Sequence, residues 1–109
     1  MIRHISIFTF LDEPANGKTK EENILAVRAY LDTIPQLYPA AHRQVVGSAL
    51  GGNPPMPDDA PVMFGDLVQI IDFDTAEGAM GYGPSQAHGG LVELSGPMMK
   101  KVTAIDFEI

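Results

Sequence analysis

The run Phe64-Gly-Asp-Leu-Val-Gln-Ile-Ile-Asp-Phe73 constrains this chain more than any other stretch. It has strand length, and the branched residues Val68, Ile70 and Ile71 favour a β-strand over a helix. One face carries Asp66, Val68 and Ile70, the other Leu67, Gln69, Ile71 and Phe73. Large apolar groups therefore occupy both faces, whereas a strand covered on one side alternates more cleanly. The pattern predicts helices on one face of a sheet and a second subunit on the other.

The opening segment Ile2–Phe10 repeats the theme, with Ile2, His4, Ser6, Phe8, Phe10 on one parity and Arg3, Ile5, Ile7, Thr9 on the other. Turn residues follow through Lys18, and Thr19 with Glu22 forms a capping box for a helix beginning near Lys20. Ile24, Val27, Leu31 and Ile34 make one buried stripe, Ala26, Tyr30 and Leu37 flank it, and Pro35 closes or kinks the last turn. Ala41–Leu50 reads as a more polar edge strand. Gly51–Pro61 holds four prolines and two glycines and reads as a surface excursion or flap. After the central run, Asp74 and Glu77 form a second capping-box pattern for a short helix rich in glycine. Pro84 opens a further helical segment with Ala87, Leu91 and Leu94 on one face, ended by Gly96-Pro97. Met98 and Met99 serve as core filler, and Val102–Ile109 is the last strand. The order β-α-β-β-α-β predicts a ferredoxin-like α+β fold, with an antiparallel sheet and helices on one face, as one domain over residues 1–109. The face left bare predicts a symmetric homodimer.

Charge narrows the partners. Seven basic residues against fourteen acidic give a net charge of -7, which argues against nucleic acid and anionic membrane surfaces. No signal-peptide block or membrane-length apolar run is present, so a cytoplasmic location is expected. The absence of cysteine excludes disulfides and thiolate metal sites. His4, His42 and His88 are scattered, with no carboxylate at ligand spacing, so no metal is expected. No phosphate-loop motif or Gly-x-Ser-x-Gly elbow occurs, and no cofactor is expected.

Several segments together resemble the stress-responsive A/B barrel domain family of dimeric α/β-barrel proteins. They are the opening Met-Ile-Arg-His-Ile-Ser-Ile-Phe-Thr-Phe, then Val-Arg-Ala-Tyr-Leu-Asp-Thr-Ile-Pro, then Asp-Leu-Val-Gln-Ile-Ile-Asp-Phe-Asp, and Tyr82 followed six residues later by His88. The resemblance implies a ferredoxin-like monomer whose sheet pairs with that of a mate. In a polyketide-cyclase branch of the family, residues matching His4, Tyr82 and His88 line a small apolar cavity. The chain departs from that branch at Ser85-Gln86, where a His-Pro pair is usual, and at Leu67, where the branch carries a histidine.

The candidate site residues are thus His88, Tyr82 and His4. An imidazole ordinarily titrates near about 6.5, which suits His88 to proton abstraction beside a carbonyl. Gly89 and Gly90 next to it would let a ligand or another backbone approach. The bland alternative is a histidine bonding the local backbone. Tyr82 could donate its phenol hydrogen to a carbonyl or orient the histidine, or simply pack. His4 has a case as a site residue only through the family position, and sequence parity does not say whether it faces the helices or the mate. Two functions remain: a dimer binding a small apolar or aromatic molecule, and a cofactor-free cyclase, isomerase or oxygenase with His88 as general base. A ligand-sized cavity at Tyr82 and His88 favours an enzyme, and a filled one a structural dimer.

Overall fold

In the computed structural model, which describes residues 1–109, the opening alternation forms β1 (Ile2–Phe10). Helix α1 (Lys20–Leu31) starts at the Thr19 cap, with Thr19 Oγ1 accepting from Glu22 N at 3.1 Å and Glu22 Oε1 accepting from Thr19 N at 3.0 Å. This box satisfies two helix-end donors reciprocally, so Thr19→Ala is expected to cost about 1 kcal/mol. A urea titration with an unmoved midpoint would contradict that.

The predicted single stripe from Ile24 to Ile34 is interrupted. The helix stops at Leu31, and Ile34–Leu37 forms a separate turn, α2, in which Pro35 is a starting residue rather than a closing one. The reason is local: Pro35 has no N–H to give to the carbonyl four residues back, Leu31. Gln44 Nε2 takes that place, donating to the Leu31 carbonyl at 2.8 Å. Val27, Leu31 and Ile34 are still fully buried, while Ile24 is only partly so and Leu37 is exposed.

Strand β2 (Arg43–Ser48) lies at a sheet edge, shorter than the predicted Ala41–Leu50 because Pro39–Ala41 forms a 3-10 turn. Strand β3 spans Leu67–Phe73, not Phe64–Phe73. The correction has a physical cause in Asp66, whose carboxylate accepts from Phe10 N at 2.8 Å and pairs with Lys20 at 3.2 Å. Its side chain thereby replaces a ladder rung and ties β1 to the start of α1. Helix α3 (Ala76–Tyr82) is capped by Thr75, whose hydroxyl accepts from Gly78 N at 3.1 Å, and not by the predicted Asp74 with Glu77. Asp74 instead faces the Arg43 guanidinium and the His42 ring. Ser85 caps α4 (Gln86–Ser95), where Ala87 and Leu91 are buried. A 3-10 turn over Gly96–Met98 leads into β4 (Met99–Glu108), which begins three residues before the predicted Val102.

The sheet order is β2-β3-β1-β4, with every adjacent pair antiparallel. The ferredoxin-like expectation is met. All helices lie on the face bearing Ser6, Phe8, Phe10, Leu67, Gln69, Ile71 and Phe73, each of them buried. His4 shares their parity, so it points toward the helices. The opposite face has no covering element. Across it the register lines up Val45, Ile70, Ile5 and Ile105 in one row over all four strands. Val45 is 63% exposed and Ile105 59%. Beside this row Arg3 grips Asp72 with two hydrogen bonds, at 2.8 and 2.9 Å.

That bidentate bond holds the Asp72 carboxyl below the ordinary carboxylate value of 3.8. A lowered value means that the folded state binds the proton less readily than the unfolded one. The stabilisation is therefore intact above pH 3.8 and is lost as pH falls further. Denaturation midpoints should drop on acidification through this window, and Asp72→Asn should flatten the drop. An equally steep fall in the variant would assign it to other carboxyls.

The Gly51–Pro61 excursion stays on the surface at the far end of the sheet. Asp58 pairs with Lys100 at the start of β4. The depression of about 400 Å³ beneath the loop contains Lys20, Asp12 and Asp66, but these charges are already paired with one another.

Candidate functional site

Tyr82 lies at the last turn of α3 and His88 in the first turn of α4, and the Ser85 cap between them sets their spacing. Ser85 Oγ accepts from His88 N at 3.2 Å and donates to the Tyr82 carbonyl at 2.5 Å. The Tyr82 ring is edge-on to both histidines, 5.1 Å from His88 and 5.6 Å from His4 between centroids. The structure thus brings all three sequence-derived candidates together on the helix side of the sheet.

A cavity of about 370 Å³ opens between α4 and the β1–β4 pair. Its apolar walls come from Phe8, Leu91, Val92, Met99, Val102 and Ala104, and its polar groups from His4, Ser6, Gln69, His88 and Ser95. Few polar groups in an apolar wall suit a small organic molecule that must be oriented as well as held. Val92 and Val102, on the two lips, are both about half exposed.

Hydrogen-bond polarity around Tyr82 follows from the α1 terminus. Gln44 must donate its amide hydrogen to the Leu31 carbonyl, so its Oε1 faces Gln69 and accepts from Gln69 Nε2 at 2.8 Å. The second hydrogen of Gln69 Nε2 goes to the Tyr82 oxygen at 3.2 Å. Tyr82 is thereby an acceptor from the protein, and its own hydrogen is free. Burial raises the Tyr82 phenol above its ordinary 10.0, so at neutral pH it keeps that hydrogen. Gln69 Oε1 is buried without a protein partner. The cavity wall therefore carries one unpartnered acceptor, with the Tyr82 hydroxyl buried behind Gln69.

His4 is oriented from both sides, with Nδ1 2.5 Å from Asp106 Oδ1 and Nε2 2.8 Å from Ser6 Oγ. The His88 ring has no side-chain hydrogen bond within the protein and faces the cavity half-buried. Sequence reasoning missed Ser6, Gln44, Gln69 and Asp106. A parity signal existed for two of them, since Ser6 shares the face of His4 and Asp106 is its register partner on β4.

The two glycines after His88 have different surroundings from those expected. A Cβ on Gly90 would sit 2.2 Å from the Tyr30 hydroxyl, which itself donates to the Ala87 carbonyl at 2.7 Å. A side chain of the first helix, not a ligand, takes that space. Gly89 meets nothing within 4 Å. Gly89→Ala should accordingly stabilise by roughly 0.5–1 kcal/mol through helix propensity. Gly90→Ala should destabilise by about 1–3 kcal/mol, because overpacking and the lost Tyr30 bond outweigh that gain. Thermal melts of the two variants moving in the same direction would refute the assignment of these environments. No group of three or more His, Asp or Glu side chains comes together as a metal site, and no helix is long and apolar enough to cross a membrane.

No protein-family model matches the sequence, and no curated protein does. Solved structures do match. A dimeric ferredoxin-like protein of unknown function from Thermobifida fusca is 21% identical with a TM-score of 0.72, over 99% of this chain and 90% of that one. A hydroxynitrile lyase from Passiflora edulis is 13% identical with a TM-score of 0.74, over 99% and 92%. A dabb family protein with a ferredoxin-like fold from Mesorhizobium loti is 16% identical with a TM-score of 0.60, over 99% and 95%. What this chain shares with all three is the ferredoxin-like fold.

Proposed function

We propose that the chain is a stress-responsive A/B barrel domain protein, cytoplasmic and homodimeric, that encloses a small apolar or aromatic molecule beneath α4. The observation that carries this reading is the apolar cavity itself, on whose wall Gln69, with its unpartnered Oε1, lies beside His4 and His88 and is backed by the buried Tyr82 hydroxyl. A bound molecule with a hydroxyl or amine would satisfy that acceptor. The apolar row on the bare sheet face supports the dimer, as do fold neighbours described as dimeric. Native mass spectrometry of the purified protein against an aromatic small-molecule library tests the binding reading. Retention should fall about 2- to 10-fold in Tyr82→Phe, the range of one neutral hydrogen bond. A protein that retains nothing, with resonances of His4 and His88 unmoved by any compound, would overturn it.

A second reading is favoured by His88, whose unengaged ring meets Tyr82 at the cavity: a cofactor-free enzyme in which His88 removes a proton and Tyr82 donates to the adjacent carbonyl. An enzyme among the fold neighbours, the Passiflora lyase, supports chemistry on this fold without choosing which. His88→Ala should lower turnover of such a substrate about 100-fold or more while binding changes little.

A further inference from the structure

Binding and proton abstraction by His88 leave the hydrogen bonds around His4 unused. Asp106 is the register partner of His4 on β4, and its Oδ1 lies 2.5 Å from Nδ1. An ionised carboxylate only accepts, so the ring hydrogen is on Nδ1. In the neutral ring the lone pair is then on Nε2, and Ser6 Oγ, 2.8 Å away, is placed to donate to it. Carboxylate, imidazole and hydroxyl thus follow one another with the polarity of a serine hydrolase relay, built here on two adjacent strands. Ser6 is only 6% exposed yet lines the cavity, so its hydroxyl faces a bound molecule rather than bulk water. Tyr82 packs edge-on against the His4 ring and helps to fix its plane.

We propose that Ser6 is a nucleophile toward small aromatic esters held in the cavity, with His4 as its general base and Asp106 as the positioning residue. The proposal rests on the reading that a small apolar molecule enters beneath α4. Ser6 Oγ bonds to the acyl carbon while its proton passes to His4 Nε2. The tetrahedral adduct collapses, the bond from acyl carbon to phenoxide oxygen breaks, and His4 returns the proton to the departing oxygen. Water, giving its proton to the same nitrogen, then opens the Ser6 ester. A carboxylic acid leaves, and the hydroxyl is restored. Asp106 is 62% exposed at its side chain, so its part is to fix the tautomer and hold the ring rather than to supply a strong field.

The test is incubation of the full chain with p-nitrophenyl acetate, with acid quenching, intact mass and peptide mapping, beside a parallel titration with p-nitrophenol followed by cavity-residue resonances. One acetyl group per chain should map to Ser6, with a matching burst of p-nitrophenolate. Ser6→Ala should abolish that adduct, and His4→Gln should slow its formation about 100-fold or more. Asp106→Asn should slow it about 10-fold and move the His4 ring hydrogen from Nδ1 to Nε2, visible in nitrogen chemical shifts. Acetylation confined to lysines, or unchanged kinetics in Ser6→Ala, would overturn the proposal. If p-nitrophenol occupies the cavity but Ser6 stays unmodified, the nucleophile is refuted and the binding reading stands; if neither occurs, both fail.

Discussion

Ile105→Asp should sediment as a folded monomer at micromolar concentration, where the parent chain should sediment as a dimer. Ile105 ends the row Val45–Ile70–Ile5–Ile105 that crosses the uncovered face. It is 59% exposed in one chain, so a carboxylate there remains hydrated in the monomer and disturbs the fold little. Pairing of two such faces would strip that hydration, and an unpaired carboxylate taken out of water costs several kcal/mol even after relaxation. At about 1.4 kcal/mol per decade, the dimer constant should weaken roughly 1,000-fold. Ile105→Val, which keeps shape and polarity, should leave it nearly unchanged. Undiminished dimer in the Asp variant would place the interface elsewhere, and a monomeric parent chain would remove it.

Phe73→Ala should be severely damaging to the core, at about 3–5 kcal/mol. Phe73 is 1% exposed at the end of β3. Its ring lies 6.3 Å from that of Tyr38 and 5.9 Å from that of Tyr82. The vacated volume cannot collapse easily, because Tyr38 is held by its hydroxyl, which donates to the Gly78 carbonyl at 2.7 Å. Against a typical total stability of about 5–15 kcal/mol, a loss of this size lowers the urea midpoint severely. It should also loosen Tyr82, so ligand retention should fall further than in Tyr82→Phe. A loss under about 1 kcal/mol would show that the cluster repacks.

Much of the fold could be read from the chain because its signals are local. The Thr19–Glu22 box and the parity of β1 each lie within a few residues and meet no competing partner. Where the reading slipped, a distant group had intervened. Asp66 was counted into β3, yet its carboxylate is spent on Phe10 N across the sheet. Thr75 takes the cap one position after Asp74, since Asp74 pairs with the Arg43 guanidinium. The direction of His4 could not be read because both parities of β1 are apolar. Only the pairing with β3 and β4 decides it. Tyr82 and His88 could be placed together because one cap separates them, whereas Asp106 is 102 residues from His4 and becomes its neighbour only through register. Gly90 was open to a ligand in sequence terms, and Tyr30, from another helix, fills it.

Strand β4 runs ten residues along the outer edge of the sheet, and beyond Met99 all of them are exposed. Its free amides and carbonyls form a template on which a strand of another molecule could stack. Lys100, Lys101, Asp106 and Glu108 punctuate that edge, and stacking there would force their charges into a new ladder. At neutral pH this steers self-association away from the edge and toward the sheet face. Replacing Asp106 and Glu108 by alanine would leave the Ala104–Glu108 stretch without a charged side chain. Fibril growth seeded through this strand is the hazard that its two carboxylates hold in check.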